Sequence, residues 1–301
     1  MHHILASIWP IFVLILAGYG MKRLNFPSDG FWYGAERLNY FILFPALLFS
    51  SLSTAPLNNP ALPRLLVAII LVLSVLGLGL VVLRYVRKWP ASHFGVLLQG
   101  VLRFNTYLGI AVIGSLYHRE GLSMALLMIA ILVPIVNFIS VLAFSAGQHT
   151  SVRALLAPIA KNPLILSCLA GIFFNLSGAE LQWGTDRFLT LLANTSLPLG
   201  LLSVGSALQL HHIRGQLTTL VLNSSARLLM APLITFIVAR LMQLPSIETT
   251  ILVLFFALPT APTAYVLSQQ MGGNSDLMAS IITFQTLFSA LSLLLVLALV
   301  V

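Results

Sequence analysis

Charge is scarce in this chain. Seven acidic and fifteen basic residues make up 7% of its 301 positions, against about 25% charged residues in a typical soluble domain. So few ionisable side chains cannot cover a water-facing surface, and a soluble globular fold is excluded. The carboxylates are Asp29, Glu36, Glu120, Glu180, Asp186, Glu248 and Asp276, all in loops or at the ends of apolar runs. Proton- and sodium-driven carriers usually bury an acid on the ion path, which argues against cation coupling here. Cysteine is scarcer still: Cys168 alone excludes an intrachain disulfide and any zinc site built from several cysteines. Within the apolar run 164–176 it reads as a small buried apolar residue. The histidines, His2-His3, His93, His118, His149 and His211-His212, lie near the ends of apolar runs and form no zincin-type motif, so no metal site is expected. There is no glycine-rich phosphate loop, no recognisable Ser-His-Asp motif and no pair of carboxylates inside an apolar run. An enzyme is not expected, and neither is a cofactor.

What the chain does have is apolar length. It is 59% hydrophobic, with a mean hydropathy of +1.01. A bilayer core of about 30 Å needs about 20 mostly apolar residues per helix. Ten candidate spans satisfy this, at 4–21, 38–54, 64–86, 94–117, 121–146, 164–179, 186–208, 217–240, 249–270 and 277–300. The fold class is therefore an all-α polytopic membrane protein with lipid as a constant partner. The first run lacks a preceding basic region and a following small-residue cleavage site, so it reads as a retained span. Linkers are marked by Phe26-Pro27, Asn59-Pro60, Trp89-Pro90, Asn162-Pro163 and Gly272-Gly273. The stretch Thr150–Lys161 is mildly amphipathic and is expected along the interface.

The net charge of +8 does not indicate nucleic acid, because the basic residues are dispersed and no soluble domain presents them. It sets orientation instead. Lys22, Arg23, Arg37, Arg84, Arg87, Lys88, Arg153, Lys161 and Arg214 follow odd-numbered spans, while Arg64, Arg119, Arg187 and Arg240 follow or close even-numbered ones. The positive-inside rule places the odd loops in the cytoplasm, and ten spans then leave both termini on the outer side.

The two halves echo each other. Leu43-Phe44-Pro45-Ala46-Leu47-Leu48 resembles Ser196-Leu197-Pro198-Leu199-Gly200-Leu201, Arg84 corresponds to Arg240, and Met124 to Met278. Five spans per half is an odd number, so the halves enter the membrane from opposite sides as an inverted repeat. The expected division is 1–147 for the first repeat, 148–163 for the connection and 164–301 for the second.

One span in each half is interrupted. Phe94–Tyr117 carries Arg103-Phe104-Asn105-Thr106-Tyr107, and Thr249–Gln270 carries Pro259-Thr260-Ala261-Pro262-Thr263. Lipid cannot satisfy the backbone groups that a break frees, so such breaks line cavities. Paired breaks in matching halves point to a transporter's binding site. If the two cross at the midplane, the half-helices beginning near Thr106–Gly109 and Thr263–Tyr265 direct free N–H groups and positive dipole ends at the crossing, which suits a carboxylate. Pro259 and Pro262 prevent a continuous helix, and Gly109 permits close packing beside the first break. The candidate substrate-binding residues are Arg103, Asn105, Thr106, Tyr107, Thr260, Pro262, Thr263 and Tyr265, with Asn137 and Ser50 as further cavity candidates. Gly109, Pro259 and Pro262 form the hinge and crossover. Arg103 either pairs with a carboxylate through its guanidinium fork or caps freed carbonyls. Arg227, about ten residues into span eight, either neutralises substrate charge or makes a structural bond to a neighbouring helix, the second being the favoured role. Ser51, Ser203, Ser206 and Gln285 are either cavity groups or helix–helix hydrogen bonds.

These motifs resemble the auxin efflux carrier family, which joins plant auxin exporters to bacterial organic-acid permeases. The likeness rests on Arg103–Gly109, on Ala257–Leu267 followed by Gly272-Gly273, and on Asn162-Pro163. The resemblance implies ten helices in two inverted repeats, scaffold and transport domains each drawn from both repeats, an elevator-like motion and organic-anion substrates at the crossover. Plant members carry Pro-Asn-Thr where this chain has Phe104-Asn105-Thr106, their second span-nine proline falls at Ala264 here, and their long central loop is only Gly147–Pro163. These departures favour a bacterial permease of the inner membrane, for substrates such as malonate or malate, working by potential-driven uniport or exchange. A cation-coupled symporter, a channel, an intramembrane enzyme and a transporter-like sensor are the alternatives. The partners expected are a small organic anion and lipid, with a homodimer as a candidate assembly.

Overall fold

The computed structural model describes residues 2–55, 60–145, 160–210 and 216–300. Among these every regular element is helical: α1 (His2–Arg23), α2 (Asp29–Leu38), α3 (Phe44–Leu52), α4 (Leu62–Arg87), α5 (Ala91–Leu102), α6 (Thr106–Ser145), α7 (Pro163–Leu176), α8 (Thr185–Ser206), α9 (Leu217–Ser225), α10 (Ala231–Leu241), α11 (Ser246–Ala257), α12 (Thr263–Gln270) and α13 (Ser275–Val300). Short π-helical turns, Asn39–Leu43 and Ala226–Met230, join α2 to α3 and α9 to α10. α6 bends sharply at His118, whose φ is 48°, which is where the sequence places the boundary between spans four and five.

Among the described residues seven helical stretches are long and apolar enough to cross a membrane: Leu5–Arg23, Leu62–Arg87, Ala91–His118 counted through its break, Gly121–Ser145, Thr185–Ser206, Leu217–Leu241 and Ser275–Leu299. The other three expected spans, 38–54, 164–179 and 249–270, fall on helices that are shorter or interrupted. Span two differs most. Its helix begins at Asp29, where Ser28 Oγ accepts the Phe31 N–H as an N-cap, nine positions before the apolar run. The lead-in is amphipathic. Trp32, Ala35 and Asn39 are buried at helical spacing, while Glu36 and Arg37 interrupt the hydropathy, so an apolar-run reading starts too late. The expected interfacial stretch Thr150–Lys161 lies almost wholly outside the described residues, as do His149, Arg153, His211-His212 and Arg214.

The helices pack in two sets. In the first, α1 lies along α8, and α3 packs on α7 and α8. Gly18 and Gly205 allow the closest approach: a Cβ on Gly18 would strike the Leu202 carbonyl, and one on Gly205 the Ile15 carbonyl. Small residues that let backbones meet are the usual means of helix association where lipid removes the hydrophobic drive. Asn39 and Ser196 join the π-turn to α8 reciprocally. Asn39 Nδ2 donates to the Ser196 carbonyl (3.1 Å), and Ser196 Oγ donates to Asn39 Oδ1 (2.8 Å). Asn162 N-caps α7 by accepting from the Leu164 N–H at 2.9 Å. In the second set, α4 packs on α5 and α10, α10 on α11, and α13 on α5, α9, α11 and α12. α6 contacts both sets.

Burial separates lipid-facing helices from enclosed ones. α4 exposes Leu66, Val67, Ile70, Leu71, Val75, Leu78 and Val82, an apolar face suited to hydrocarbon. By contrast, every residue from Phe94 to Leu102 of α5 and from Glu248 to Ala257 of α11 is buried. A helix apolar all round and buried all round is a core element. The first half-helix of each interrupted segment is thus shielded from lipid almost throughout. Cys168 is buried in α7, as a small apolar residue would be.

Candidate functional site

The two broken segments are built alike. α5 and α11 each have twelve residues, each follows an extended proline (Pro90, ψ 155°; Pro245, ψ 159°), and each ends in an extended residue: Arg103 (φ −74°, ψ 147°) and Leu258 (φ −69°, ψ 148°). Leu258 precedes Pro259, and the proline ring pushes its neighbour out of the α region. Pro259 has no N–H to continue the helix. The first break contains no proline. Asn105 starts the next helix instead: its Oδ1 accepts the Leu108 N–H at 3.1 Å and its carbonyl accepts the Gly109 N–H at 3.0 Å, an N-cap that competes with continuation of α5.

The breaks touch. The Asn105 N–H donates to the Pro259 carbonyl at 2.8 Å, Thr260 Oγ1 donates to the Gly100 carbonyl at 2.9 Å, and Arg103 Nη2 donates to Thr263 Oγ1 at 3.0 Å. A Cβ added to Gly109 would lie 2.7 Å from Leu258 Cδ1, so the glycine expected beside the first break is what admits the second. Each break satisfies part of the backbone that the other frees.

Three polar side chains answer the remaining carbonyls. Asn223 Nδ2 donates to Leu97 (2.9 Å) and Gln285 Nε2 to Gly100 (2.8 Å), while Gln285 Oε1 accepts from the Thr260 N–H. Arg227, fully buried, spans both helix ends. Its Nη1 donates to Val101 of α5 (2.8 Å), its Nη2 to Phe255 (2.7 Å) and its Nε to Leu258 (2.6 Å). The structural assignment of Arg227 therefore extends to two helices at once. Capping of freed carbonyls, one of two roles open to Arg103, falls to Arg227 and Gln285.

Arg103 lies elsewhere. Its Nη1 donates to Gln99 Oε1 at 3.1 Å, Thr263 holds its Nη2, and it faces a cavity of about 640 Å³. Among the described residues two of its five N–H donors are engaged in this way. Asn105, Thr106, Tyr107, Asn137, Pro262 and Thr263 line the same cavity. Asn105 is 0% exposed, and its Nδ2 has no hydrogen-bond partner. The Oδ1 contact with Leu108 fixes the orientation of the amide, so this residue of the cavity lining holds an unpaired, buried donor. Buried donors are almost always satisfied, and an orphan one calls for an acceptor.

Three candidates are not at this cavity. Thr260 is buried in the Gln285–Gly100 network. Tyr265 packs on the far side of α12, against the cluster of Val96, Leu97, Phe144 and Met278. Ser50 lies further along α3, where its carbonyl accepts from Ser53 Oγ. A break read from sequence gives depth but not azimuth, so it does not separate the residues that line a cavity from their neighbours.

Sequence reading also missed one wall. Tyr33, Glu36, Arg37, Tyr40, Phe41 and Phe44 line the cavity. Their spacing of three and four places them on one helical face, and that stripe was the available signal. Phe44 meets Tyr107 edge-on, with ring centroids 4.8 Å apart. The cavity wall thus carries Arg37 and Arg103 against Glu36, together with aromatic rings, an orphan amide donor and the first turn of α6.

Comparison with known proteins agrees with this architecture. The sequence profile of the family described as "Membrane transport protein" matches residues 3–297. An uncharacterized transporter of Methanothermobacter thermautotrophicus is 26% identical over 298 residues, covering 95% of each chain. An uncharacterized transporter of Methanocaldococcus jannaschii is 22% identical over 292 residues, covering 93% of this chain and 94% of its own. The chain belongs to the membrane transport protein family of auxin efflux carrier-like transporters.

Proposed function

We propose that this protein is a secondary carrier for small organic anions, dicarboxylates such as malonate or malate among them, bound where the two broken helices meet. The observation that carries the reading is the unpartnered Nδ2 of Asn105, in a cavity lining that also includes Arg103. One carboxylate oxygen can accept from the amide while the guanidinium pairs with the same or a second carboxylate. The first turn of α6 contributes its positive dipole end to the same place. Thr106, Tyr107, Asn137, Pro262 and Thr263 shape the site.

In this reading the fold has ten spans in two inverted five-helix repeats, 1–147 and 164–301, joined by 148–163. The matched geometry of α5 and α11 supports it. The scaffold is α1, α2–α3, α7 and α8. The transport body is the second packing set, which moves as an elevator along the seam where α6 faces α3, α7 and α8. The protein sits in the inner membrane with both termini outside. Transport runs by uniport or exchange: the negative cell interior is worth about 2.3 kcal/mol per charge per 100 mV and drives anions outward. A proton-coupled carrier is the second reading, and Glu36 at the cavity wall is what favours it.

Counterflow in proteoliposomes tests the carrier. Labelled malonate uptake should saturate and accelerate when unlabelled dicarboxylate is loaded inside. Flux that rises linearly with concentration and ignores the internal anion would mark a channel and overturn the proposal.

A further inference from the structure

We propose that Arg227 is a resident cation: its guanidinium fills a carbonyl cluster that would otherwise hold a free monovalent ion, and so makes the crossing independent of added cation. The mechanistic consequence rests on the carrier reading above, whereas the site itself rests on geometry. In carriers with paired broken helices, the C-terminal ends of the half-helices gather main-chain carbonyls and coordinate a coupling cation there. Here the corresponding carbonyls are those of Val101, Phe255 and Leu258. All three accept from Arg227, at 2.8, 2.7 and 2.6 Å.

Charge, and not hydrogen bonding alone, sets this contact apart. On the same helix α5, the carbonyls of Leu97, one turn back, and of Gly100, the neighbour of Val101, are met by the neutral amides of Asn223 and Gln285. The point shared by both helix ends receives an ionised group instead. Placing a fully buried arginine there without a carboxylate is costly. What offsets the cost is the negative dipole end of two helices at once, charge-assisted bonds to three carbonyls and the Phe256 ring 5.8 Å from its Cζ. Those are the features that bind a monovalent cation. The π-helical turn Ala226–Met230 carries the residue, and such turns recur at functional sites.

Two consequences follow for the carrier. A tethered charge is neither bound nor released during a cycle, so this position stores no energy from a sodium gradient. The guanidinium also lies on Leu258, the neighbour of Pro259, whose carbonyl receives the Asn105 N–H. It therefore adds a fixed positive charge behind the anion site.

The test is the thermal unfolding midpoint of purified Arg227→Ala, compared with wild type, in sodium, potassium, guanidinium or choline chloride at equal ionic strength and millimolar concentration. A bound cation raises the midpoint by mass action. The expected result is a saturable rise of several degrees for Arg227→Ala in sodium or guanidinium but not in choline, with wild type indifferent to the cation. Equal response of the variant to all four salts overturns the proposal. Should Arg227→Ala not yield folded protein, Arg227→Lys and Arg227→Gln decide the matter. Lysine should retain most of the wild-type midpoint and glutamine should lose it, and equal midpoints for the two overturn the claim. Malonate binding to wild type is measured in parallel. Its absence would sink the carrier reading and leave the cation response of the variant intact.

Discussion

Asn105 and Pro259 lie 154 positions apart in sequence and are joined by a 2.8 Å hydrogen bond from the amide of one to the carbonyl of the other. A residue inside an unbroken helix would bond within its own helix, so this contact exists only because both segments unwind at the same place. It fixes the start of α6 against the end of α11, where the Asn105 side chain caps α6 through Oδ1 and keeps an unpartnered Nδ2. Arg227 closes the arrangement from behind by holding the carbonyls of Val101 and Leu258. The two half-helices therefore behave as one rigid unit, and ligand specificity depends on side chains held by that unit.

Arg103→Gln should weaken dianions more than monoanions, because the guanidinium offers a second charge-assisted contact that a monocarboxylate cannot use. Loss of one such contact is worth about 1.5–3 kcal/mol, roughly a tenfold to hundredfold change in affinity. Binding of malonate and acetate to the purified variant checks this. Equal losses for both would assign Arg103 to structure.

Glu36→Gln removes the acid from a cavity wall that also carries Arg37 and Arg103. Taking a like charge away from the anion should tighten malonate binding, more so at low salt, where screening is weakest. Wild-type flux should persist with equal pH on both sides and no sodium. Strict dependence on a pH gradient, lost in Glu36→Gln, would select the proton-coupled carrier instead.

Gly205→Val should destabilise the α1–α8 pair severely, on the order of 3 kcal/mol or more, because the new Cβ meets the Ile15 main chain, which cannot move aside as a flexible side chain would. A fall in midpoint with unchanged anion affinity in the surviving folded fraction is the expected pattern, and it separates packing from the site.

Much of this was legible in the sequence because both breaks announce themselves. A polar stretch inside an apolar run and two prolines three residues from each other in the matching run have few physical readings in a membrane. Their mutual contact and the packing role of Gly109 follow from that, whereas the placing of Arg103, Asn105, Thr106, Tyr107, Asn137, Pro262 and Thr263 around one cavity is seen in the structure. The α2 wall was harder to see. Glu36 and Arg37 lower the hydropathy just where the helix begins, so a method keyed to apolar runs discards the stripe that Tyr33, Tyr40 and Phe44 complete. Azimuth around a broken helix is equally invisible without its neighbours, which is why Tyr265 was grouped with a cavity that it faces away from. Arg227 shows the third limit. A charge inside an apolar run signals importance, but only coordinates reveal that it serves two helices at once.

The most direct measurement is a malonate binding isotherm for Asn105→Asp beside wild type. Aspartate keeps the oxygen that caps α6, which matters because losing a cap costs about 0.5–2 kcal/mol. It replaces the free amide donor with a carboxylate. A folded, thermally near-native variant that no longer binds malonate is the predicted result. Wild-type affinity in Asn105→Asp would contradict an anion site at the meeting of the two broken helices.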